Sequence, residues 1–376
     1  MTVKHYLLIL FVLTTFSLSA QIRPQLEKEI GKIIYYDTEI SFENTPAYLI
    51  GVQIGDSSYV FPYGNTSKKN GQAPASDDLF EIGGLTKSFT ALLTGILTQS
   101  GQIHPDSSLN SYLPSTYRNP NASHLTILDL VQHTSNLPRL PEGFGLKEKD
   151  AANPFGHYTK TDLLEYYAEA NIDQLKKKKY SYSHTNYALL EVILELATDE
   201  SYEDLLQKYI FQPCQMTQSG INDLTVDNRN KIAQGYSLGG QPTPPWSMQS
   251  FAGSEGIKSS MDDLLKYLQV SVKTNHQSLS PVLTQNQQPL VKTGLTKNTW
   301  GGNGWHVITN KSYYDVILHA GSTTGYRSFL GFVPETQTGV VILANSPTSM
   351  NGLGLLILRM INNNWKRKKR SFKTKG

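Results

Sequence analysis

The chain has 376 residues, 39% hydrophobic and 17% charged, an ordinary globular composition that excludes a disordered or fibrous polymer and suffices for one large core. One cysteine, Cys214, excludes an intrachain disulfide framework, and among residues that would pack it reads as a buried thiol. The formal charge of +3 is uneven: Lys366 to Lys375 carries seven basic residues and no acidic one, so the body without them stands at −4, and no nucleic-acid partner is expected.

Residues 1–20 hold one Lys, an apolar run from Tyr6 to Leu18, and the small residues Ser17, Ser19 and Ala20 ahead of Gln21. This pattern predicts a secretory signal peptide, hence a secreted or periplasmic protein. The run is shorter than the roughly 20 apolar residues that span a bilayer, so no transmembrane segment is expected, and no cysteine follows it to carry a lipid. One domain is expected over 21–365. Leu26, Ile30, Ile33 and Ile34 fall at helical spacing, and Tyr48 to Ile54 and Ser58 to Tyr63 predict a hairpin around Gly55-Asp56-Ser57. From about 85 to 290 the apolar pattern is mostly helical. Strand patterns return at Trp305 to Thr309, Tyr313 to Leu318, Ser328 to Val333 and Val340 to Asn345, and a helical pattern closes the domain from about Met350 to Trp365. Short turns between the late strands make the sheet antiparallel, with the N-terminal hairpin at its edge and both terminal helices on one face. The reading is an α+β fold in which a large all-helical lobe is inserted between sheet segments. The basic tail, 366–376, is a solvated end with at most weak contact to an anionic surface.

The chemistry concentrates in Phe80-Glu-Ile-Gly-Gly-Leu-Thr-Lys-Ser-Phe-Thr90. Phe89, Leu92, Leu93, Ile96 and Leu97 form an amphipathic stripe ended by Gly101, so a helix starts near Gly84. Lys87 lies three residues on and shares its face, beside the unpaired N–H groups of a helix N-terminus. In a serine acyl-enzyme this spacing lets a lysine take the proton of a serine whose carbonyl target lies against backbone N–H donors. Gly84 has no side chain to attack with. Thr86 points about 200° away around the helix and Ser88 lies a turn deeper, so neither replaces a hydroxyl at position 84.

This segment resembles the S-x-x-K segment of the class C β-lactamase and penicillin-binding-protein family at every signature position except the serine itself. Leu125-Thr-Ile-Leu-Asp-Leu-Val-Gln-His-Thr-Ser-Asn-Leu-Pro138 is similar to the family's leucine stretch ending in His-Thr-Ser-Gly-Leu-Pro, with Asn136 in the glycine position and His133 structural. Tyr180-Ser-Tyr-Ser-His184 resembles its Tyr-Ser-Asn motif, aligning Tyr182 with the catalytic tyrosine and His184 with the asparagine. Gly253 to Leu264 and Gly304-Trp305 match further family positions, and His319-Ala320-Gly321 resembles the third motif, His-x-Gly. The resemblance implies Lys87, Tyr182 and His184 as a degenerate catalytic set. It implies Gly84, His319, Gly321 and Ser322 as the ligand-binding set, with the N–H groups of Gly84 and Ser322 as oxyanion donors. The literal Lys292-Thr293-Gly294 comes too early to be the third motif and reads as a surface loop outside the cleft.

The implied function is a non-acylating binder of D-Ala-D-Ala-like peptide, β-lactam or ester ligands, with no cofactor or metal. Two alternatives stand. One is a hydrolase of esters or amides using water activated by Lys87, Tyr182 and His184, since histidine titrates near neutrality and the absent side chain leaves room. The other is a structural or regulatory partner of a cell-wall protein. Because the rest of the acylation machinery is present by sequence, Gly84→Ser is expected to restore partial acylation.

Overall fold

Strands form where β-branched and aromatic residues run between turn formers. In a computed structural model that describes residues 22–362 apart from 70, 148–152, 173–177, 223, 274–275 and 312, Ala47–Ile54 (β1) and Ser57–Gly64 (β2) make the expected hairpin. Its turn needs Gly55, whose φ of +58° suits a residue without Cβ. The expected signal peptide and basic tail lie outside the described residues. The middle of the chain is helical, as the periodicity predicts, but it also holds two small strand pairs. Leu79–Glu81 (β3) pairs with Lys258–Ser260 (β6), and between them in sequence Gly235–Tyr236 (β4) pairs with Pro242–Thr243 (β5). The sheet resumes with Val291–Lys292 (β7), Thr299–Gly301 (β8), His306–Ile308 (β9), Val316–Ser322 (β10), Arg327–Val333 (β11) and Thr338–Ala344 (β12).

Eight of these strands form one antiparallel sheet in the order β2-β1-β12-β11-β10-β9-β8-β7. The hairpin therefore adds to β12, which closes the sheet from the two ends of the chain. Lys292 is not in a loop: it pairs with Trp300 in the edge strand β7, an arrangement set by a distant partner rather than by its turn-rich neighbours, and it is exposed.

Alternation along the strands separates two cores. Tyr48, Ile50, Val52, Val340 and Ile342 face the terminal helices, 22–37 and Asn351–Ile361, and pack on Leu26, Ile30, Leu353 and Ile357. Leu49, Val341 and Leu343 face the helix Met261–Lys273 and the middle block, packing with Leu264 and Leu268. Each fully buried Leu or Ile contributes about 1.5–3 kcal/mol relative to exposure. One feature of the sheet positions the site: β9 pairs with β10 only at Val316, Ile317 and Leu318, so His319 to Ser322 run on with a strand neighbour on the β11 side alone.

Candidate active site

The strand β3 leads into a single 3-10 turn, Gly83–Leu85, before the α-helix Thr86–Gln99, so the helix opens two residues later than its apolar stripe suggests. That turn lies against the free stretch of β10 in backbone contact. A Cβ on Gly321 would sit 1.8 Å from the Ile82 carbonyl oxygen and 2.8 Å from the Gly84 nitrogen, and one on Gly83 would sit 2.7 Å from the Ser322 nitrogen. Only glycine permits this approach, and the approach brings the backbone of Gly84 beside that of Ser322. A Cβ on Gly84 would lie 3.0 Å from Tyr182 Oη, 3.3 Å from the Ala320 oxygen and 3.5 Å from His319 Cε1. Three separate segments thus meet at Gly84.

Lys87 points from the first turn of the helix into a fully buried position. Its Nζ donates to Glu255 Oε1 at 2.7 Å and to the Ser254 carbonyl at 3.0 Å. His184 opens the helix His184–Thr198, which Ser183 caps by accepting from the Asn186 N–H at 3.2 Å. Its Nδ1 lies 2.5 Å from the same Glu255 oxygen. A charged lysine and a protonated Nδ1 both donate to that oxygen, so the 3.2 Å between Lys87 Nζ and Nδ1 reflects a shared acceptor, not a bond. This tautomer leaves Nε2 of His184 as an acceptor.

Burial pushes the Glu255 carboxyl up, but Lys87 and then His184 outweigh it and hold its pKa at about 2, so it is a carboxylate at neutral pH. Burial draws Lys87 down, and Glu255 opposes that shift. The arrangement is a buried ion pair. His184 lies below the ordinary histidine value through burial and the charge of Lys87, and is neutral at pH 7. Tyr182 has Lys87 5.0 Å and Arg139 5.4 Å from its ring centroid. Burial first, and then Glu255, raises its phenol well above the usual value, so it stays protonated.

Opposite, His319 is buried with Nδ1 lacking a partner among the described residues, and its ring lies 5.5 Å from that of His306. His306 Nε2 meets Tyr180 Oη at 3.0 Å. Burial and then Lys87 bring the pKa of His306 to about 4, and burial followed by His306 puts His319 well below 6.5. His133 is buried at φ 57° against the rings of Tyr180 and Tyr182, 5.5 and 4.7 Å away, its Nδ1 accepting from the Ser183 N–H at 3.1 Å, and Asn136 adopts φ 65°, which suits the position that resembles a glycine. Thr86 Oγ1 accepts from the Ile257 N–H and Ser88 Oγ donates to the Leu85 carbonyl, both buried.

A cavity of about 440 Å3 opens here, and Gly84, Tyr182, His184, His319, Gly321 and Ser322 all line it. Lys87 is absent from its surface, lying behind Tyr182 and Glu255. Lys292 is outside it. Sequence reasoning missed Glu255, His306 and the arginines Arg139 and Arg327, all on the wall. Glu255 was visible only as the lone acid in Ala252-Gly-Ser-Glu-Gly256, a segment matched to the family for other positions. Among the described residues, no cluster of three or more His, Cys, Asp or Glu is placed to hold a metal.

A Beta-lactamase family model matches residues 40–358. The chain is 24% identical over 374 residues to a β-lactamase of Escherichia coli (strain K12), covering 90% of this chain and 93% of that protein. It is 25% identical over 293 residues to "Protein flp" of Staphylococcus aureus, covering 76% of this chain and 56% of that protein. A solved class C β-lactamase superposes with a TM-score of 0.76 at 22% identity, over 91% of this chain and 96% of the other. A β-lactamase/D-alanine carboxypeptidase from Pseudomonas syringae does so with a TM-score of 0.76 at 19% identity, over 91% and 99%. At such identities the structural likeness shows the fold.

Proposed function

The chain belongs to the Beta-lactamase family, and from that premise we propose that it binds D-Ala-D-Ala-like peptide, β-lactam or ester ligands without becoming acylated. Gly84 stands where the family carries its acyl-accepting serine. One observation carries the reading: Lys87, the residue that would activate that serine, is fully buried and paired at 2.7 Å with Glu255. A lysine must be neutral and free to accept a proton; burial lowers the pKa of Lys87, but Glu255 opposes that shift and holds the amine as a hydrogen-bond donor. Position 84 therefore lacks the hydroxyl, and the Lys87 amine is engaged by Glu255. Removing the nucleophile of a serine hydrolase leaves about 10³–10⁴ of acceleration over water from the oxyanion donors and binding. What stays is a shaped cleft with backbone donors at Gly84 and Ser322. The N-terminal pattern of residues 1–20 supports a location outside the cytoplasm, and no helix among the described residues is long and apolar enough to cross a membrane.

A second reading has its own observation. Glu255 at 2.5 Å from Nδ1 orients His184 as the carboxylate of a triad orients its base, leaving Nε2 to take a proton from water near Tyr182. In that case the protein hydrolyses small esters, with activity rising with pH through the lowered His184 pKa and collapsing in His184→Asn while binding is kept. The two readings separate on one plate: fluorescent penicillin should leave no covalent label, and steady ester turnover above background in the unlabelled protein would replace the binder by the hydrolase.

A further inference from the structure

Two guanidinium groups stand on the cavity wall, and among the described residues neither is paired with an acid. Arg327 on β11 donates from Nε and Nη2 to the single carbonyl of Pro347, at 3.2 and 2.6 Å, which spends one side of its fork on the backbone. It is half-buried, yet among the described residues it forms no ion pair. Arg139 lies over the Tyr182 ring, exposed and likewise without an ion pair. Among the described residues that line the cavity Glu255 is the one acid, and Lys87 and His184 already occupy it. The wall histidines, His184, His306 and His319, are neutral at pH 7 because burial lowers each of them. The cavity therefore has two positive charges in excess. For Arg327, held partly out of water, the lack of a counter-charge is costly, and the cost is offset when an anion arrives.

Their placement is as informative as their charge. Arg327 pairs with Ser322 across β10 and β11, while Arg139 adjoins Tyr182, whose hydroxyl faces Gly84. Each arginine thus adjoins a neighbour of Gly84, Arg139 through Tyr182 and Arg327 through Ser322. Leu295, Ile308, Leu318 and Ala320 give the same cavity an apolar side.

We propose that the ligand of this cleft is a dianion, an amide or ester whose carbonyl lies at the N–H groups of Gly84 and Ser322 and which carries an acidic group toward each arginine. This rests on the binder reading and deepens it: a short acyl peptide with carboxylates at both ends is held in preference to one with a single carboxylate. Arginine suits the task because its planar fork meets a carboxylate with charge-assisted bonds.

The test uses four matched probes: N-succinyl- and N-succinamoyl-D-alanyl-D-alanine, each as the free C-terminal acid and as the C-terminal amide. Calorimetric titration at low salt should find the doubly charged probe tightest, with about tenfold weaker binding on neutralising either end. Arg327→Gln should erase the preference at one end only, and Arg139→Gln at the other. Arg327→Lys keeps a charge and should keep most of its preference, and because each comparison is a ratio within one folded variant, a change in stability does not mimic the result. Equal binding of all four probes would overturn the dianion and leave the binder standing. Loss of preference at the same end in both arginine variants would also overturn it. Binding of none of the four would remove both conclusions together.

Discussion

The two walls of the cleft are held by different physics. On the sheet side, Gly83, Gly84, Gly321 and Ser322 meet through backbone, and the constraint is space: a Cβ at 321 would lie 1.8 Å from the Ile82 oxygen. On the helix side, Lys87, Tyr182, His184 and Glu255 meet through side chains, and the constraint is charge in a buried setting. A hydroxyl can be absent from position 84 without loosening the first wall, because nothing there depended on it. The second wall cannot ignore the change so easily. A buried lysine without a proton to move still needs a partner, and Glu255 is that partner.

If charge holds the helix side, removing one member of the pair should cost far more than removing both. Lys87→Met leaves Glu255 buried with its charge uncompensated and should lower stability by about 3–5 kcal/mol, whereas Lys87→Met with Glu255→Gln recovers most of it. Denaturant unfolding of the two variants measures this, and a single variant as stable as wild type would show that the wall is held by packing.

Acid should lower stability in two steps. His306 has a folded pKa of about 4 against an ordinary 6.5, so the unfolded chain binds the proton first. Its contribution is whole above pH 6.5 and is lost as pH falls toward 4, amounting to about 3 kcal/mol. Glu255 lies at about 2 against 4.5, so its contribution is present above pH 4.5 and is lost as pH falls toward 2. His306→Gln should shrink the upper step of a stability profile, which the lowered His184 and His319 share, and Glu255→Gln should flatten the lower. One unchanged profile would break the assignment of that step.

Putting the hydroxyl back sharpens the comparison further. A Cβ at position 84 comes within 3.0 Å of Tyr182 Oη, so the phenol must give by a few tenths of an ångström and Gly84→Ser should fold. Read from sequence, this change restores at least partial acylation. With Lys87 tied to Glu255, the single variant should acylate slowly, and Gly84→Ser with Glu255→Gly, which frees the amine, about a hundredfold faster. Intact mass against time with an activated ester gives both rates, and equal rates would mean that Glu255 does not restrain Lys87. At the other extreme, Lys292→Ala touches neither wall and should change stability by less than about 0.5 kcal/mol and ligand binding not at all. A loss of binding there would extend the site beyond both walls.

What the sequence discloses follows the same division. The Gly84 to Lys87 spacing lies within one turn, and Tyr182 precedes a capped helix, so both are legible from local pattern. The hairpin and the late strands are legible because alternation marks them. Glu255 meets Lys87 across 168 residues, and no periodicity announces such a contact. His306 reaches the site through the pairing of β9 with β10, and Lys292 is a strand residue only because Trp300 pairs with it. No local pattern marks Arg139 or Arg327, and only the fold places them on the cavity wall.

The central claim, a cleft that binds but is not acylated, is tested most directly by mass spectrometry of one sample of the protein with benzylpenicillin, recorded first under native and then under denaturing conditions. The account predicts a saturable one-to-one complex in the native spectrum and the unmodified mass after denaturation. A stoichiometric adduct that survives denaturation, or the absence of any complex in the native spectrum, would contradict it.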